Sequence, residues 1–474
     1  MKTAIPCLYA SYGRYLDAYR ALPSNIDGLK ISLRRALLSL YDMAKDKYVK
    51  SARVTGHMIG TYHPHGDLSA YETVFTLVLQ NYAIGEGGWG SKDKDGTDSP
   101  SAPRYTECKL SPWVRDSAFR YVKYVPWVNL ELDDEPVYLP CPIPIGLIGC
   151  DNITGISFHR TVIPKYKKED LAKRLKWLIE IYNEHDGYPD FNPQEEMDED
   201  KFGPLIKPNF RDCKSKENET GEYYRLLFHG TGNIRVIPNG TIKNNKIYIK
   251  GRVPGSSFNH LLRHIDDGKL DFNLVDLSGN GEDPYELNVE LTPKRKKDDI
   301  KKMFTELWTK YLVKNINYQC YFVNDESLPE VLGIDSVLIN NYSHYLNAVL
   351  KYRVEVFEKA NNRLFDNHII LIIKELINKY DIKTLDDLIT QYNHDYPEKK
   401  KIKLQKFEND NFSDFEREIN EDDLVNICNK NSITKLITVK VDINKIQNDI
   451  KEAMQSIQNI YDDCYHEVCK YVKE

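Results

Sequence analysis

The apolar residues near the C-terminal end of the chain recur in alternating steps of three and four, and this spacing persists for about three heptads. Such a stripe is buried only when it runs along a long helix that packs against another helix. Its members are Ile443, Ile446, Ile450, Ala453, Ile457, Ile460 and Cys464. An upstream series marks a second long helix at Leu346, Val349, Phe357, Ala360 and Leu364. The pair predicts an antiparallel coiled-coil arm, although a plain helical hairpin has the same pattern.

The chain has 474 residues, enough to form about two to four domains. Hydrophobic residues make up 41% and charged residues 29%, and no apolar run approaches the roughly 20 residues of a membrane helix. The nine cysteines are scattered, which favours reduced thiols over a disulfide framework or a zinc site. The first residues show no long apolar core or cleavage site, so we expect no secretion signal. These features predict a cytoplasmic protein with no membrane association.

The charge is unevenly distributed along the chain. The net charge is −6, yet residues 1–60 carry ten Lys and Arg against four Asp, a local excess of six positive charges. A basic region on an acidic chain is typical of a protein with one DNA-contacting domain. It is equally compatible with an ordinary surface.

Two helices are predicted in the first eighty residues. Apolar residues at helical spacing run from Asp27 to about Lys47 and leave a cationic flank formed by Lys30, Arg34 and Arg35. A second helix is predicted over residues 68–80 with Asp67 as its N-cap. Its apolar face would comprise Leu68, Tyr71, Phe75 and Leu79.

The next segments alternate between loop, strand and helix patterns. Residues 85–102 are rich in Gly, Ser and Asp, which predicts irregular structure leading into Pro103-Arg104-Tyr105. Short strands with tight turns are predicted over residues 137–165, and a helix over residues 166–184. Alternating apolar residues over 222–292, for example at Lys246–Lys250, indicate a mixed α/β domain.

A histidine-rich turn precedes the second predicted helix. His63, His65 and Asp67 are candidate metal ligands by residue type. A His-x-His sequence before a helix N-terminus, beside several cations, suits phosphate binding at least as well. The third interpretation is two surface histidines at a turn, and chemistry alone does not separate the three.

Tyr105 is the most informative of the 32 tyrosines, most of which are expected to be structural. Arg104 is adjacent, and a polar loop leads into the pair. A tyrosine hydroxyl becomes a nucleophile only with a base and nearby positive charge. Arginine suits a phosphate because its planar fork binds two oxygens and stays charged.

These blocks together resemble the breakage-reunion subunit of type IIA DNA topoisomerases, a family that includes the A subunits of DNA gyrase and topoisomerase IV and the medium subunit of phage topoisomerase. The resemblance is strong over residues 14–115 and weaker beyond. It rests on six blocks in the family's order: Arg20-Ala21-Leu22-Pro23, Asp27-Gly28-Leu29-Lys30 with Arg34-Arg35, Lys50-Ser51-Ala52-Arg53-Val54-Thr55-Gly56, Ile59-Gly60-Thr61-Tyr62-His63-Pro64-His65-Gly66-Asp67, Gly87-Gly88-Trp89-Gly90-Ser91 and Arg104-Tyr105-Thr106-Glu107.

The resemblance implies a role for each matching residue. Tyr105 corresponds to the nucleophile that becomes joined to a 5′ phosphate, and Arg104 to its transition-state partner. Ile156 corresponds to an isoleucine that wedges between base pairs, although the segment from Gly155 to Pro164 is one residue shorter than the family pattern. The residues expected near the scissile phosphate and adjacent DNA backbone are His65, with a catalytic role, and His63, Arg20, Lys30, Arg34 and Arg35.

The resemblance also implies fold and partners. The expected fold is multidomain α+β: a winged-helix DNA-binding domain over residues 1–135, a mixed α/β tower over 136–335, and a coiled-coil arm with a helical dimerisation gate over 336–474. The chain is expected to bind double-stranded DNA as a homodimer, in a two-plus-two assembly with a gyrase B-like subunit in the cytoplasm of a bacterial or phage-infected cell. No ATP-binding motif or acidic cluster is recognisable here, so ATP and most of the Mg²⁺ coordination are expected on that subunit, with no metal ligands on this chain.

Departures from the family pattern carry two further expectations. The chain ends near Glu474, just after the returning helix, so we expect no β-propeller-like C-terminal domain, and relaxation or decatenation instead of negative supercoiling. Leu68 stands where relatives have a serine that helps to hold quinolones, which predicts a weak quinolone response. The alternatives are a winged-helix DNA-binding protein without catalysis and a metalloenzyme built on His63, His65 and Asp67.

Overall fold

The computed structural model describes residues 4–90, 99–189, 198–210, 213–215, 219–251, 253, 258–277, 288–294 and 299–472. The chain divides into two compact units. One comprises Met1–Tyr345 with Cys464–Glu474, and the other comprises Leu346–Asp463.

The first 118 residues build a helical layer against a small sheet. The helices are α1 (Ala4–Leu16), α2 (Ile31–Ala44), α3 (Ser51–His57), α4 (Asp67–Leu79) and α5 (Pro112–Ala118). The strands β1 (Val49–Lys50), β2 (Ala83–Glu86) and β3 (Glu107–Leu110) pair antiparallel in the order β1-β3-β2. The helical spacing of α2 buries Leu37 and Leu40, which are both fully covered. Burial of such side chains is the main stabilising contribution to this layer.

The remainder of the first unit is organised by an eight-stranded sheet with the order β11-β12-β10-β9-β13-β7-β6, to which β8 is added by pairing with β9. Its strands are β6 (Asn152–Ile156), β7 (Arg160–Pro164), β8 (Cys213–Ser215), β9 (Thr231–Lys243), β10 (Lys246–Lys250), β11 (Phe272–Asp276), β12 (Asn288–Pro293) and β13 (Lys314–Gln319). Two short hairpins accompany it: β4 (Trp127–Asn129) with β5 (Asp134–Pro136), and β14 (Tyr321–Val323) with β15 (Pro329–Val331). The helices are α6 (Lys168–His185), α7 (Glu199–Phe202), α8 (Thr220–His229), α9 (Phe258–Asp266) and α10 (Ile300–Leu307).

The second unit is built around α11 (Ile334–Tyr380), which begins in the first unit. It also contains α12 (Leu385–Asp395), β16 (Lys401–Glu408), β17 (Asn411–Glu418), α13 (Glu421–Lys430), α14 (Ile433–Leu436) and α15 (Ile443–Gln458), and α16 (Ile460–Val472) begins at its end. Ion pairs join Arg363 to Asp449 at 3.1 Å and Arg353 to Asp463 at 2.9 Å. These pairings make the returning chain antiparallel to α11. The apolar stripe predicted as one helix is interrupted at Asn459, between α15 and α16.

Three local expectations need correction. Leu68 lies in the first turn of α4 and is 74% exposed, so it does not belong to the buried face of the helix. The N-cap of α4 is Gly66, and Asp67 is the first helical residue. Strand β2 extends to Glu86, two residues into the segment predicted to be irregular, and residues 91–98 of that segment lie outside the described residues.

Candidate active site

The loop that carries Tyr105 is held by its backbone. The Tyr105 amide donates to the Ala102 carbonyl at 2.8 Å, and the Ser51 amide donates to the Thr106 carbonyl at 2.9 Å. The Ala52 amide donates to the Pro103 carbonyl at 3.1 Å. The start of α3 therefore fixes the loop on both sides of Tyr105.

The opposite side of this loop requires a glycine. Gly87 has a φ of +93°, and a Cβ placed there would lie 2.9 Å from the Tyr105 carbonyl oxygen. Only glycine adopts such a backbone conformation without strain. Trp89, 1% exposed, donates its backbone amide to the Gly87 carbonyl at 3.0 Å and stacks on Phe75 of α4 with ring centroids 6.1 Å apart.

A buried hydroxyl network ties the loop to α4. The Tyr71 hydroxyl donates to the Ser101 carbonyl at 2.7 Å and lies 2.9 Å from the Thr106 hydroxyl. Thr106 Oγ1 in turn lies 2.9 Å from Ser51 Oγ. Burial raises the pKa of Tyr71, so this hydroxyl keeps its proton as a donor. The sequence predicted Tyr71 only as part of an apolar helix face and missed its role in holding the loop. The signal that could have indicated this role is its hydroxyl, which can bond to a threonine such as Thr106 next to Tyr105.

The Tyr105 side chain projects from this fixed loop and is 61% exposed. The guanidinium carbon of Arg104 lies 4.6 Å from the centroid of its ring, a cation–π contact. Within the described part of the chain, the Tyr105 hydroxyl has no hydrogen-bond partner. The pair therefore presents a phenol and a planar cation together to solvent.

His63 and His65 form a stacked pair before α4, with ring centroids 3.9 Å apart and planes 5° from parallel. His63 is 7% exposed. Burial lowers the pKa of His63 to about 4, and the charges of His65, Arg35 and Arg20 act in the same direction against the opposing carboxylate of Glu131. His63 is therefore neutral at physiological pH. The His65 Nδ1 atom is buried and unpartnered among the described residues.

Arg34 and Arg35 lie inside the protein and do not project outward. Arg34 is 6% exposed and forms a two-bond ion pair with Asp27, at 2.8 and 2.9 Å. Arg35 is 2% exposed and is bound by Glu135 and Glu131. Direct contact with DNA phosphates would require both arginines to leave buried carboxylates, which is costly. The geometry therefore favours organising roles over the direct contacts expected from the sequence.

The metal interpretation is not supported by the positions of its candidate ligands. His63 and His65 gather with Glu131, and not with Asp67, within 4.8 Å of one another. Arg35 Nη1 lies 3.0 Å from His63 Nδ1 and 2.9 Å from Glu131 Oε2. A guanidinium nitrogen thus takes the place in which a metal ion would bind two of the three groups. Because the two rings are stacked in nearly parallel planes, one ion cannot lie in the plane of both rings.

The remaining candidate residues, Arg20, Lys30 and Ile156, lie on or beside the β6–β7 hairpin. Ile156 is 79% exposed at its tip. Lys30 Nζ donates to the Thr154 carbonyl, and His159 Nδ1 lies 2.8 Å from Asp17 Oδ2. Asp17 begins a π-helical turn, Asp17–Ala21, which also carries the exposed Arg20. These contacts bring the carriers of Arg20, Lys30 and Ile156 onto one surface.

Helix α4 connects the histidine pair to the tyrosine loop. His65 lies immediately before the N-cap Gly66, and Tyr71, which binds the loop, lies about one turn of 5.4 Å into the helix. The two groups of candidate residues are therefore attached to one rigid element.

Residues 20–474 match the family of the DNA gyrase/topoisomerase IV A subunit. Over 400 residues the chain is 28% identical to the A subunit of DNA topoisomerase 4 from Streptococcus pneumoniae, covering 80% of this chain and 45% of that protein. Over 384 residues it is 26% identical to the A subunit of DNA topoisomerase 4 from Haemophilus influenzae, covering 77% and 49%. It is 35% identical over 193 residues to the DNA gyrase A subunit of a Nocardioides species, covering 38% and 20%. The matched region thus spans less than half of each relative. No described helix is both long and apolar enough to cross a bilayer.

Proposed function

The chain belongs to the DNA gyrase/topoisomerase IV A-subunit family, which confirms the family inferred from the sequence, and on that premise we propose that it is the cleavage-religation subunit of a type IIA DNA topoisomerase. Tyr105 attacks a DNA phosphodiester, releases a 3′ hydroxyl and forms a 5′-phosphotyrosyl ester. The observation that carries the proposal is the exposed Tyr105 hydroxyl, on a loop fixed at both sides, with the Arg104 guanidinium over its ring.

The chemistry conserves bond energy because one phosphoester replaces another. Attack in line with the leaving 3′ oxygen builds charge on the phosphate, and Arg104 stabilises that charge through its planar fork. His65 acts beside the phosphate, with His63 as a neutral hydrogen-bond donor. Rejoining reverses the step and needs no nucleotide.

DNA contacts are proposed for exposed or partly exposed cations near the site. Arg20 and Lys30 contact the DNA backbone, whereas Arg34 and Arg35 act from within the protein by holding α2 and the histidine pair. Ile156 inserts between base pairs and bends the duplex, because an apolar wedge unstacks one step at its point of entry. Its 79% exposure at a hairpin tip supports this role.

ATP and Mg²⁺ are proposed to belong mainly to a separate gyrase B-like subunit in a two-plus-two assembly with a homodimer of this chain. Mg²⁺ prefers oxygen ligands in near-octahedral geometry. Among the described residues, the one candidate cluster contains two histidines and is bridged by Arg35, so it does not fit this ion. ATP drives the opening and closing of the DNA gate and not the bond chemistry.

The domain plan is also proposed from the family. A winged-helix domain would occupy residues 1–135, a tower 136–335, and a coiled-coil arm with the dimerisation gate 336–474. The antiparallel ion pairs between α11 and the returning chain support the arm.

The decisive experiment combines the chain with its candidate ATPase subunit, Mg²⁺ and supercoiled plasmid, and then quenches with detergent and protease. We expect linear DNA with protein on its 5′ ends, which Tyr105→Phe abolishes. Tyr461→Phe is the matched control, because Tyr461 is also exposed, at 71%. DNA binding without cleavage by an assembled complex would favour the non-catalytic DNA-binding alternative. Cleavage that persists in Tyr105→Phe would show that another residue is the nucleophile.

The expected preference for relaxation or decatenation is tested with the same complex. Negatively supercoiled, relaxed and catenated plasmids are each incubated with ATP, and the topological products are separated on a gel. Negative supercoiling of the relaxed plasmid would contradict the expectation.

A further inference from the structure

The β4–β5 hairpin delivers two carboxylates to a single buried arginine. Glu135, 3% exposed, accepts from Arg35 Nε at 2.8 Å and from Nη2 at 2.6 Å. Glu131, whose side chain is 24% exposed, accepts from Nη1 at 2.9 Å. Burial alone would lower the pKa of Arg35, but the hydrogen bonds and charges of Glu135 and Glu131 raise it. The guanidinium is therefore charged and held from both ends.

The second N–H of Arg35 Nη1 determines which ring nitrogen of His63 carries the proton. Arg35 Nη1 lies 3.0 Å from His63 Nδ1. An arginine only donates hydrogen bonds, so Nδ1 must be the acceptor, and neutral His63 carries its proton on Nε2. The groups that face His63 are Arg35, His65, Glu131 and Arg20. Three of them are cationic or able to become so, and together with burial they oppose protonation of the ring.

We propose that Glu131 is a positioning residue for DNA cleavage: it holds Arg35 Nη1 against His63 Nδ1, and thereby keeps His63 as a neutral donor whose Nε2–H is available to a phosphate oxygen. The inference deepens the proposed function and rests on it. Glu135 anchors the guanidinium, while Glu131 orients the nitrogen that reaches His63. A histidine whose tautomer is set by a second group is a common arrangement where ring orientation determines chemistry.

Glu131 is the better residue to vary because it lies at the rim. Loss of Glu135 would leave a buried guanidinium without its two-bond partner and endanger folding. In Glu131→Ala, Arg35 retains Glu135 but Nη1 loses its second acceptor. Glu131→Gln keeps an acceptor oxygen at the same position. Asp134→Asn removes a neighbouring carboxylate of the same hairpin that is exposed.

The first measurement is the protonation of the His63 ring by long-range ¹H–¹⁵N NMR of the intact chain, with its signals among the 12 histidines assigned by their loss in His63→Asn. The parent, Glu131→Gln and Asp134→Asn are expected to show His63 protonated on Nε2 only. Glu131→Ala is expected to show a mixture of the two tautomers. An unchanged single tautomer in Glu131→Ala would overturn the proposal.

The second measurement is 5′-linked DNA cleavage by the assembled complex. We expect Glu131→Ala to cleave about tenfold more slowly, the size of effect expected when one hydrogen bond to a charged group is lost. DNA affinity should change less than twofold, and Glu131→Gln should recover most of the rate. Equal cleavage rates in parent and Glu131→Ala, or failure of Glu131→Gln to recover, would overturn the positioning role. A parent complex that makes no 5′-linked product would instead defeat the proposed function, while the NMR result still decides the link from Glu131 to His63.

Discussion

Gly155 lies so close to Ala21 that a Cβ added at Gly155 would stand 2.2 Å from the Ala21 carbonyl oxygen. This contact seats the hairpin that carries Ile156 directly on the turn that carries Arg20. The positions of Ile156 and Arg20 therefore depend on the same backbone contact, and any side chain at residue 155 must push the hairpin and the turn apart.

Gly155→Ala should weaken both stability and DNA bending. Overpacking a close backbone contact costs about 1–3 kcal/mol of the free energy of unfolding, and the displaced Ile156 should reduce DNA bending and cleavage together. Fluorescence transfer across a short duplex measures the bend. Gly56→Ala is the control, because a Cβ at Gly56 meets no atom of the described residues within 4 Å. Normal DNA bending by Gly155→Ala would show that the contact between Gly155 and Ala21 is not needed to position Ile156.

Arg104→Lys should lower the cleavage rate by about a hundredfold or more while Tyr105 remains intact, since lysine keeps the charge but lacks the fork that binds two phosphate oxygens. Rapid-quench assays of 5′-linked product measure the effect. Arg120→Lys is the matched control, because Arg120 also lies over the ring of the following tyrosine, Tyr121, at 5.1 Å. Equal losses in the two variants would indicate a general effect of Arg-Tyr stacking and not catalysis.

Arg34→Ala should destabilise the protein by about 3–5 kcal/mol, because it leaves the buried Asp27 carboxylate without its cation. Asp27 also accepts from the Leu29 and Leu139 amides, both at 3.0 Å, so the loss should spread to both segments. Urea unfolding measures the change. Arg115→Ala, which removes exposed ion pairs with Asp46 and Asp116, should leave the midpoint nearly unchanged. If Arg34→Ala were stable but bound DNA more weakly, the result would instead favour the direct contact between Arg34 and DNA that was expected from the sequence.

Lys165→Met should remove a pH dependence of stability. Burial lowers the pKa of Lys165 from 10.5 to about 7, although its Nζ donates to the Tyr82 hydroxyl at 3.0 Å. Between these values the unfolded chain binds more protons than the folded one, so the contribution of Lys165 to the free energy of unfolding rises with pH, by about 1 kcal/mol per unit. Below about pH 7 both states hold the proton and the contribution is constant.

The comparison is made by urea unfolding at pH 7, 8 and 9, with the exposed Lys173→Met as control. The difference between the parent and Lys165→Met should grow with pH in favour of the parent, whereas Lys173→Met should follow the parent. Parallel curves for Lys165→Met and the parent would mean that Lys165 keeps its proton in the folded protein.

Leu68→Ser should increase quinolone trapping of the cleaved complex. Leu68 is exposed but has no side-chain oxygen, whereas the resemblance implies that a serine at this position helps to hold quinolones. We therefore expect little linear DNA from the parent with ciprofloxacin and more from Leu68→Ser. Ser69→Ala should behave as the parent does. Strong trapping of the parent would contradict the expectation.

Local sequence patterns predicted the helices and strands better than they predicted the contacts between side chains distant in sequence. The helix predicted over residues 166–184 is Lys168–His185, and the alternation at Lys246–Lys250 is a strand, because both signals lie within one segment. The partners of Arg35 are about a hundred residues away, and nothing in the spacing of α2 indicates them. For the same reason the sequence placed Arg34 and Arg35 on a cationic flank, and it grouped His63 with Asp67 when Glu131 is the neighbour.

Under the proposed function, the fixed loop around Tyr105 limits how far a cleaved DNA end can move. If Tyr105 forms the proposed ester, the DNA end is attached to the hydrogen-bonded backbone through a single tyrosine side chain, which has only two χ angles. Because this attachment is short and its backbone is fixed, the DNA end moves together with the sheet and α3 and does not diffuse freely in solution. Rejoining is then an intramolecular reaction at a very high effective concentration, and the two ends separate only as far as the protein bodies that hold them.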